Sequence, residues 1–197
     1  FDTENNTYIM GILNVTPDSF SDGGKYNTMD AALRHAEQMV REGADVLDVG
    51  GESTRPGHVQ ISDEEEAQRV VPVIRALKKE FDVPVSVDTY KSYVAEAALD
   101  AGADLVNDIW GLKYDGRMAS VIAEYSAACC LMHNRENAEY HAFLPDFMED
   151  MRECIRLAEN AGIRRDGILL DPGVGFGKTC EMNLEIISRL EIMHELG

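Results

Sequence analysis

Six short apolar runs in this 197-residue chain each end in a polar group, and that recurrence limits the fold more than any other feature. Ile9–Leu13 ends at Asn14, Val46–Val49 at the Gly50-Gly51-Glu52 turn, and Val83–Val87 at Asp88. Leu105-Val106 ends at Asn107, Cys129–Met132 at His133, and Ile168–Leu170 at Asp171. Runs this short, separated by helical stretches, read as parallel strands buried on both faces. A single Asn or Asp at a strand end is ordinary turn chemistry. Five Asn, Asp or His endings out of six instead suggest a shared mouth at the carboxyl ends of the strands, where a (β/α) barrel builds its site.

The segments between the runs carry helical periodicity. Thr28–Glu42 places Met29, Leu33, Ala36, Met39 and Val40 on one face before Gly43. Ser62-Asp63-Glu64-Glu65 has the form of a capping box, opening a helix in which Pro72 should either kink the axis or fall in the early turns. Further helices are expected over Lys91–Ala101, Arg117–Ser126, Pro145–Ala161 and Glu181–Leu196. Glu42–Asp48 is echoed by Ala101–Asn107, each reading as a helix end, a Gly stop, a tight turn and a strand. The expected fold class is therefore α/β, a TIM (β/α)8 barrel with about six βα units in a single domain spanning 1–197. Since a closed barrel has eight units, the domain is expected to be incomplete at its C-terminus. A doubly wound sheet would place a glycine-rich dinucleotide turn after the first strand, and Asn14-Val15-Thr16-Pro17-Asp18 is not one.

The 36 acidic residues outnumber the 18 Lys and Arg, and a formal net charge of −18 argues against nucleic-acid or anionic-membrane partners. Any phosphate site must then be local. Cys129, Cys130, Cys154 and Cys180 show neither C-x-x-C nor zinc spacing and suit a reducing cytoplasm. No apolar run approaches the ~20 residues of a membrane span. Glycines in Asp171–Thr179 suggest a P-loop, but Pro172 stands where the first Walker glycine is required. Backbone passing close to a flat ligand, with Phe176 at the rim and Lys178 exposed, is the expectation instead.

Asn14–Gly24, Gly50–Gly57, Val85–Thr89, Asn107-Asp108, Leu131–His133 and Asp171–Gly177 together resemble the dihydropteroate synthase family, in order and at similar spacing. The resemblance implies a pterin-binding enzyme of folate biosynthesis, a transferase joining 6-hydroxymethyl-7,8-dihydropterin diphosphate to p-aminobenzoate with release of pyrophosphate. It implies that Asp88, Asn107, Met132, Asp171 and Gly175 bind the pterin. Phe20, Thr54, Pro56 and Phe176 would line the p-aminobenzoate pocket, where sulfonamide inhibitors compete. Asn14 would help bind Mg2+ on the diphosphate, and Asp22 and Arg55 would act on the reacting carbon from two closing loops. The residue types suit this chemistry, because a pterin edge rich in N–H groups needs carboxylate and carboxamide acceptors. A homodimer is admitted by the resemblance. The family's Ser-Arg-Lys segment of strand seven and Arg-x-His segment of strand eight do not occur in this sequence. A pterin-binding methyltransferase and a non-catalytic pterin-binding fragment are the alternative readings.

Overall fold

The computed structural model describes residues 5–16, 24–53 and 59–197, with side chains in the second segment from residue 29 onward. Among the described residues six strands alternate with six α-helices: β1 (Met10–Asn14), α1 (Gly24–Glu42), β2 (Val46–Gly50), α2 (Asp63–Glu80), β3 (Val85–Asp88), α3 (Ser92–Asp100), β4 (Leu105–Asp108), α4 (Met118–Glu124), β5 (Ala128–Met132), α5 (Phe143–Ala161), β6 (Ile168–Asp171) and α6 (Cys180–Ser188). The strand order is β1-β2-β3-β4-β5-β6, so chain neighbours are sheet neighbours. That is the repeat expected of a TIM barrel, with six βα units present. Contacts group the chain into two compact units, Phe1–Val106 and Asn107–Gly197.

In the first unit, β1 pairs in parallel with β2, and β2 with β3. All five residues of β2 are buried, and Val85, Ser86 and Val87 of β3 are too, as continuous apolar runs require. β1 departs from the expectation. Leu13 is buried in it while Ile12 is 61% exposed. α2 packs on α1, α3, β2 and β3 through Val70, Val73, Ile74 and Leu77. Its start follows the sequence signal: the Ser62 hydroxyl accepts a hydrogen bond from the Glu65 amide at 3.2 Å. Acids at residues 63–66 and Lys78 and Lys79 at the far end complement the helix dipole. Of the two placements expected for Pro72, a kink or the early turns, the second does not hold: it lies in the helix interior, and the helix continues past it. It is exposed on the outer face, where a missing N–H is least costly.

The echoed segments adopt one geometry. Asp45 accepts a hydrogen bond from the Ile9 amide at 2.7 Å, and its own amide donates to the Ile9 carbonyl. Asp104 does the same with Val85, accepting at 2.8 Å and donating back to the carbonyl. Each acid pins the start of its own strand to the start of the preceding one.

In the second unit β5 pairs in parallel with β6, and α5 packs on α4 and β6. Phe147, Met148, Met151, Cys154, Ile155 and Ala158 recur at helical spacing and form the buried stripe of α5. Phe147, Met151 and Ile155 join Ile186 and Leu196 in one core. Gly162 ends α5 at φ +96°, a conformation that a side chain would resist. The helix expected over 181–196 is instead α6 followed by a 3-10 turn at Leu190–Leu196, since only Ile186 of α6 is buried to hold a longer one. Burial pushes the Cys129 thiol up to about 12 and the Cys154 thiol to about 11, so both behave as apolar core groups. Among the described residues no helix is long and apolar enough to cross a membrane.

Candidate active site

In the first unit the register aligns Asn14 with Gly50 and Gly50 with Asp88, each the last residue of its strand. Gly50 is bare backbone between two side-chain oxygens. A Cβ there would stand 3.2 Å from Asn14 Oδ1 and 3.5 Å from Asp88 Oδ2. Carboxamide and carboxylate oxygens of this kind are the donors a hard cation takes. Among the described residues no three His, Cys, Asp or Glu cluster as a metal site. Mg2+ commonly uses one or two protein oxygens and completes its shell with phosphate and water, so the donor set fits a metal carried partly by a substrate. Phe20, Asp22, Thr54, Arg55 and Pro56 lie outside the described residues.

Directly behind this row is a buried ion cluster that the sequence reading missed. Lys91 Nζ lies 2.8 Å from Glu52 Oε2 and 2.7 Å from Glu66 Oε2, and all three groups are nearly inaccessible. The Tyr90 hydroxyl donates to Glu52 Oε1, the Ile61 amide donates to Glu52 Oε2, and Lys91 also donates to the Ile61 carbonyl. Burial opposes ionisation of Glu52, yet the bonds from Lys91, Tyr90 and Ile61 outweigh it and hold the carboxyl below its ordinary range. Burial wins at Glu66 and raises it. The Lys91 ammonium is disfavoured by burial but held above its usual value by the two glutamates.

In the second unit Asn107 and Asp108 end β4. Asp108 is spent on structure: it accepts hydrogen bonds from the Trp110 and Leu112 amides, both at 2.8 Å, and shapes the turn that follows Asn107. Burial pushes its carboxyl up to about 6 despite those donors. Met132, the last residue of β5, stands in register with Asp171 at the end of β6. Asp171 Oδ1 accepts from the Gly173 amide at 2.8 Å, which fixes the carboxylate by a local turn. Gly173 has φ +65°, and a Cβ there would come within 2.0 Å of the His133 carbonyl oxygen and 3.1 Å of Met132 Cγ. Only glycine lets this loop lie so flat. Gly175 is exposed and donates to Asn183 Oδ1, while half-buried Phe176 donates to the Gly173 carbonyl.

Lys178 is not the exposed residue that the sequence suggests. It folds under the loop and donates to His133 Nδ1 at 2.9 Å, the Gly173 carbonyl at 2.9 Å and the Phe176 carbonyl at 3.0 Å. His133 is fully buried and places Nε2 3.1 Å from Asp150 Oδ2, which also accepts from Arg135 Nε at 2.6 Å. Because Nδ1 accepts from Lys178, the imidazole proton is assigned to Nε2. Burial lowers the His133 pKa and brings Lys178 down to about 8. Burial resists ionisation of Asp150, but hydrogen bonds from His133 and Arg135 hold its carboxyl below the usual range.

Each unit thus sets oxygen acceptors at its strand ends: Asn14 and Asp88 flank Gly50 in the first, and Asp171 stands beside Gly173 in the second. Residues 10–197 match the pterin-binding enzyme family. A dihydropteroate synthase of Clostridium beijerinckii is 58% identical over the whole chain, which spans 73% of that protein. Among solved structures, dihydropteroate synthase of Clostridium difficile in the presence of pteroic acid superposes with TM-score 0.97 at 52% identity, covering 100% of this chain and 75% of that one. The Xanthomonas albilineans enzyme with 4-aminobenzoic acid gives 0.92 at 43% identity, with 98% and 71% covered. The Yersinia pestis enzyme with a sulfonamide drug gives 0.84 at 44% identity, with 95% and 70% covered. The chain belongs to the pterin-binding enzymes and, within them, to the dihydropteroate synthase family.

Proposed function

We propose that the protein condenses 6-hydroxymethyl-7,8-dihydropterin diphosphate with p-aminobenzoate, giving 7,8-dihydropteroate and pyrophosphate for folate biosynthesis. The observation that supports the reading is the Asp171 carboxylate, fixed by the Gly173 amide at the end of β6, in a turn where a Cβ at Gly173 would strike the His133 carbonyl. Asp171 accepts two N–H groups of the pterin's amino-pyrimidinone edge, and Asp88 and Asn107 serve the remaining nitrogens. Met132 and Gly175 complete the pterin contacts. Phe176 forms a wall of the p-aminobenzoate pocket with Phe20, Thr54 and Pro56, and sulfonamides compete there.

Asn14 would hold Mg2+ through its carboxamide oxygen, and the bound ion supplies charge neutralisation on the leaving diphosphate. Asp22 and Arg55 would favour charge separation as the C–O bond breaks. The neutral amine of p-aminobenzoate then attacks the pterin cation and loses a proton. No covalent nucleophile is required of the protein. We further propose a cytoplasmic enzyme, in keeping with its four free cysteines, that functions as a homodimer.

Pyrophosphate release from the two substrates, measured on the full polypeptide that carries this sequence, tests the reaction. Release strictly dependent on both substrates is expected, and pterin binding without release would overturn it in favour of a non-catalytic role. In calorimetric titration Asp171→Ala should weaken pterin binding about 30- to 800-fold, for roughly 2–4 kcal/mol of stranded donors. Wild-type affinity in that variant would refute the assignment of Asp171.

A further inference from the structure

Gly175 and Phe176 lie on the loop that follows Asp171 at the end of β6. It is held by hydrogen bonds to residues 133–140: the His133 amide donates to the Asp171 carbonyl at 2.9 Å and the Tyr140 hydroxyl to the Gly177 carbonyl at 2.7 Å. Gly173 and Gly177 press against this segment so closely that a Cβ would come within 2.0 Å of the His133 oxygen and 2.5 Å of the Arg135 oxygen. Between those two glycine contacts the Lys178 ammonium enters from beneath.

The donor count is decisive. An ammonium has three N–H groups, and Lys178 faces four acceptors: His133 Nδ1, the Gly173 carbonyl and the Phe176 carbonyl within 3.0 Å, and the His133 carbonyl at 3.4 Å. A neutral amine has two donors and a lone pair, which would face one of these acceptors. The protonated form is therefore the one that the cage fits. Gly173 is gripped from both sides, its carbonyl by Lys178 and its amide by the Asp171 carboxylate. The chain of contacts runs Asp150–His133–Lys178–Gly173–Asp171, anchored on the buried stripe of α5 where Phe147 lies against the His133 ring at a centroid distance of 4.6 Å.

We infer that Lys178 is a positioning residue for the pterin carboxylate, acting on Asp171 through the Gly173 backbone, with His133 and Asp150 as its rear support. Lys178 does not touch the pterin. It sets where the Asp171 oxygens stand, and it rests on the assignment of Asp171 as a pterin ligand made above.

The test measures affinity for 6-hydroxymethyl-7,8-dihydropterin by calorimetry, alongside thermal unfolding, in the full polypeptide carrying this sequence. Lys178→Met keeps the length of the side chain and removes all three donors. It should bind the pterin about 10- to 100-fold more weakly while remaining folded below its melting temperature. Lys178→Gln, which restores N–H donors, should fall between Met and wild type. Ile155→Ala, in the same core, should melt earlier and bind the pterin as wild type does. Wild-type affinity in a folded Lys178→Met would overturn the inference, and so would an equal loss in Ile155→Ala, which would mark the effect as stability alone. If Lys178→Met does not fold, Lys178→Gln decides, and wild-type affinity there overturns the inference. A wild-type protein that fails to bind the pterin would instead sink the underlying assignment. Loss of binding in Asp171→Ala with Lys178→Met unaffected would sink only the positioning role.

Discussion

Replacing Lys91 by Met should expose how much of the first unit depends on one buried charge. The residue is 3% exposed, and its ammonium is 2.8 Å from Glu52 and 2.7 Å from Glu66, themselves 5% and 1% exposed. Removing one partner of a buried ion pair costs roughly 3–5 kcal/mol, because the remaining charge has neither water nor a counterion. Here two carboxylates would be left facing the same void, so the upper part of that range is expected at pH 7. The sign of the pH dependence is equally defined. Without Lys91 both glutamates take up protons more readily folded than unfolded, so the folded state binds more protons and stability recovers as pH falls from 7 toward 5. Urea unfolding followed by circular dichroism at pH 7 and pH 5 measures both effects. A loss under about 1 kcal/mol at pH 7, the scale of an exposed pair, would refute the claim that the cluster is desolvated. A loss that deepens on acidification would refute the charge argument.

Two other outcomes follow from the site. If Arg55 and Asp22 act on the separating charges, as proposed, Arg55→Ala and Asp22→Ala should lower kcat for pyrophosphate release while leaving affinity for the free pterin close to wild type; steady-state kinetics paired with calorimetry checks this, and the reverse pattern would reassign both residues. Acid should destabilise the second unit through His133, whose unfolded form takes a proton below about pH 6.5 while the buried ring stays neutral, and through Asp150, whose stabilisation is lost as pH falls through the ordinary carboxylate range. Asp108, raised to about 6, works the other way between pH 6 and 4, so Asp150→Asn should flatten the loss chiefly below pH 4, read from the fluorescence of Trp110, the single tryptophan; equal slopes in variant and wild type would contradict the assignment.

The strand ends were legible because each of these strands is a short apolar run with no helical period, and Asn14, Asp88 and Asp171 close such runs whatever the burial of the strand. The helix starts and stops were written in Ser62 and Gly162, whose conformational roles are local. Lys178 was misplaced for the opposite reason. A lysine after Gly-Phe-Gly reads as solvated, and only the return of residues 133–135 beneath the loop, 45 positions away, turns it inward. Lys91 and Glu52 are 39 positions apart, so no window along the chain could have paired them. The end of α6 was overrun because apolar spacing continues through Leu190 and Met193, whereas the backbone tightens there into a 3-10 turn.

The twin aspartate clamps also bear on ancestry. Asp45 ties β2 to the start of β1, and Asp104 ties β4 to the start of β3, with the same pair of reciprocal bonds each time. At the start of β3, between the two clamps, Pro84 stands where Asp45 and Asp104 stand before β2 and β4; with neither a carboxylate nor an N–H, it only accepts from the Leu47 amide through its carbonyl. The motif that repeats is therefore a doublet, βαβα, rather than the single βα element that strand spacing suggests. A gene that grew by copying such doublets would inherit locked strand starts with every copy and leave the opposite strand ends to diverge, which is where Asn14 and Asp88 stand.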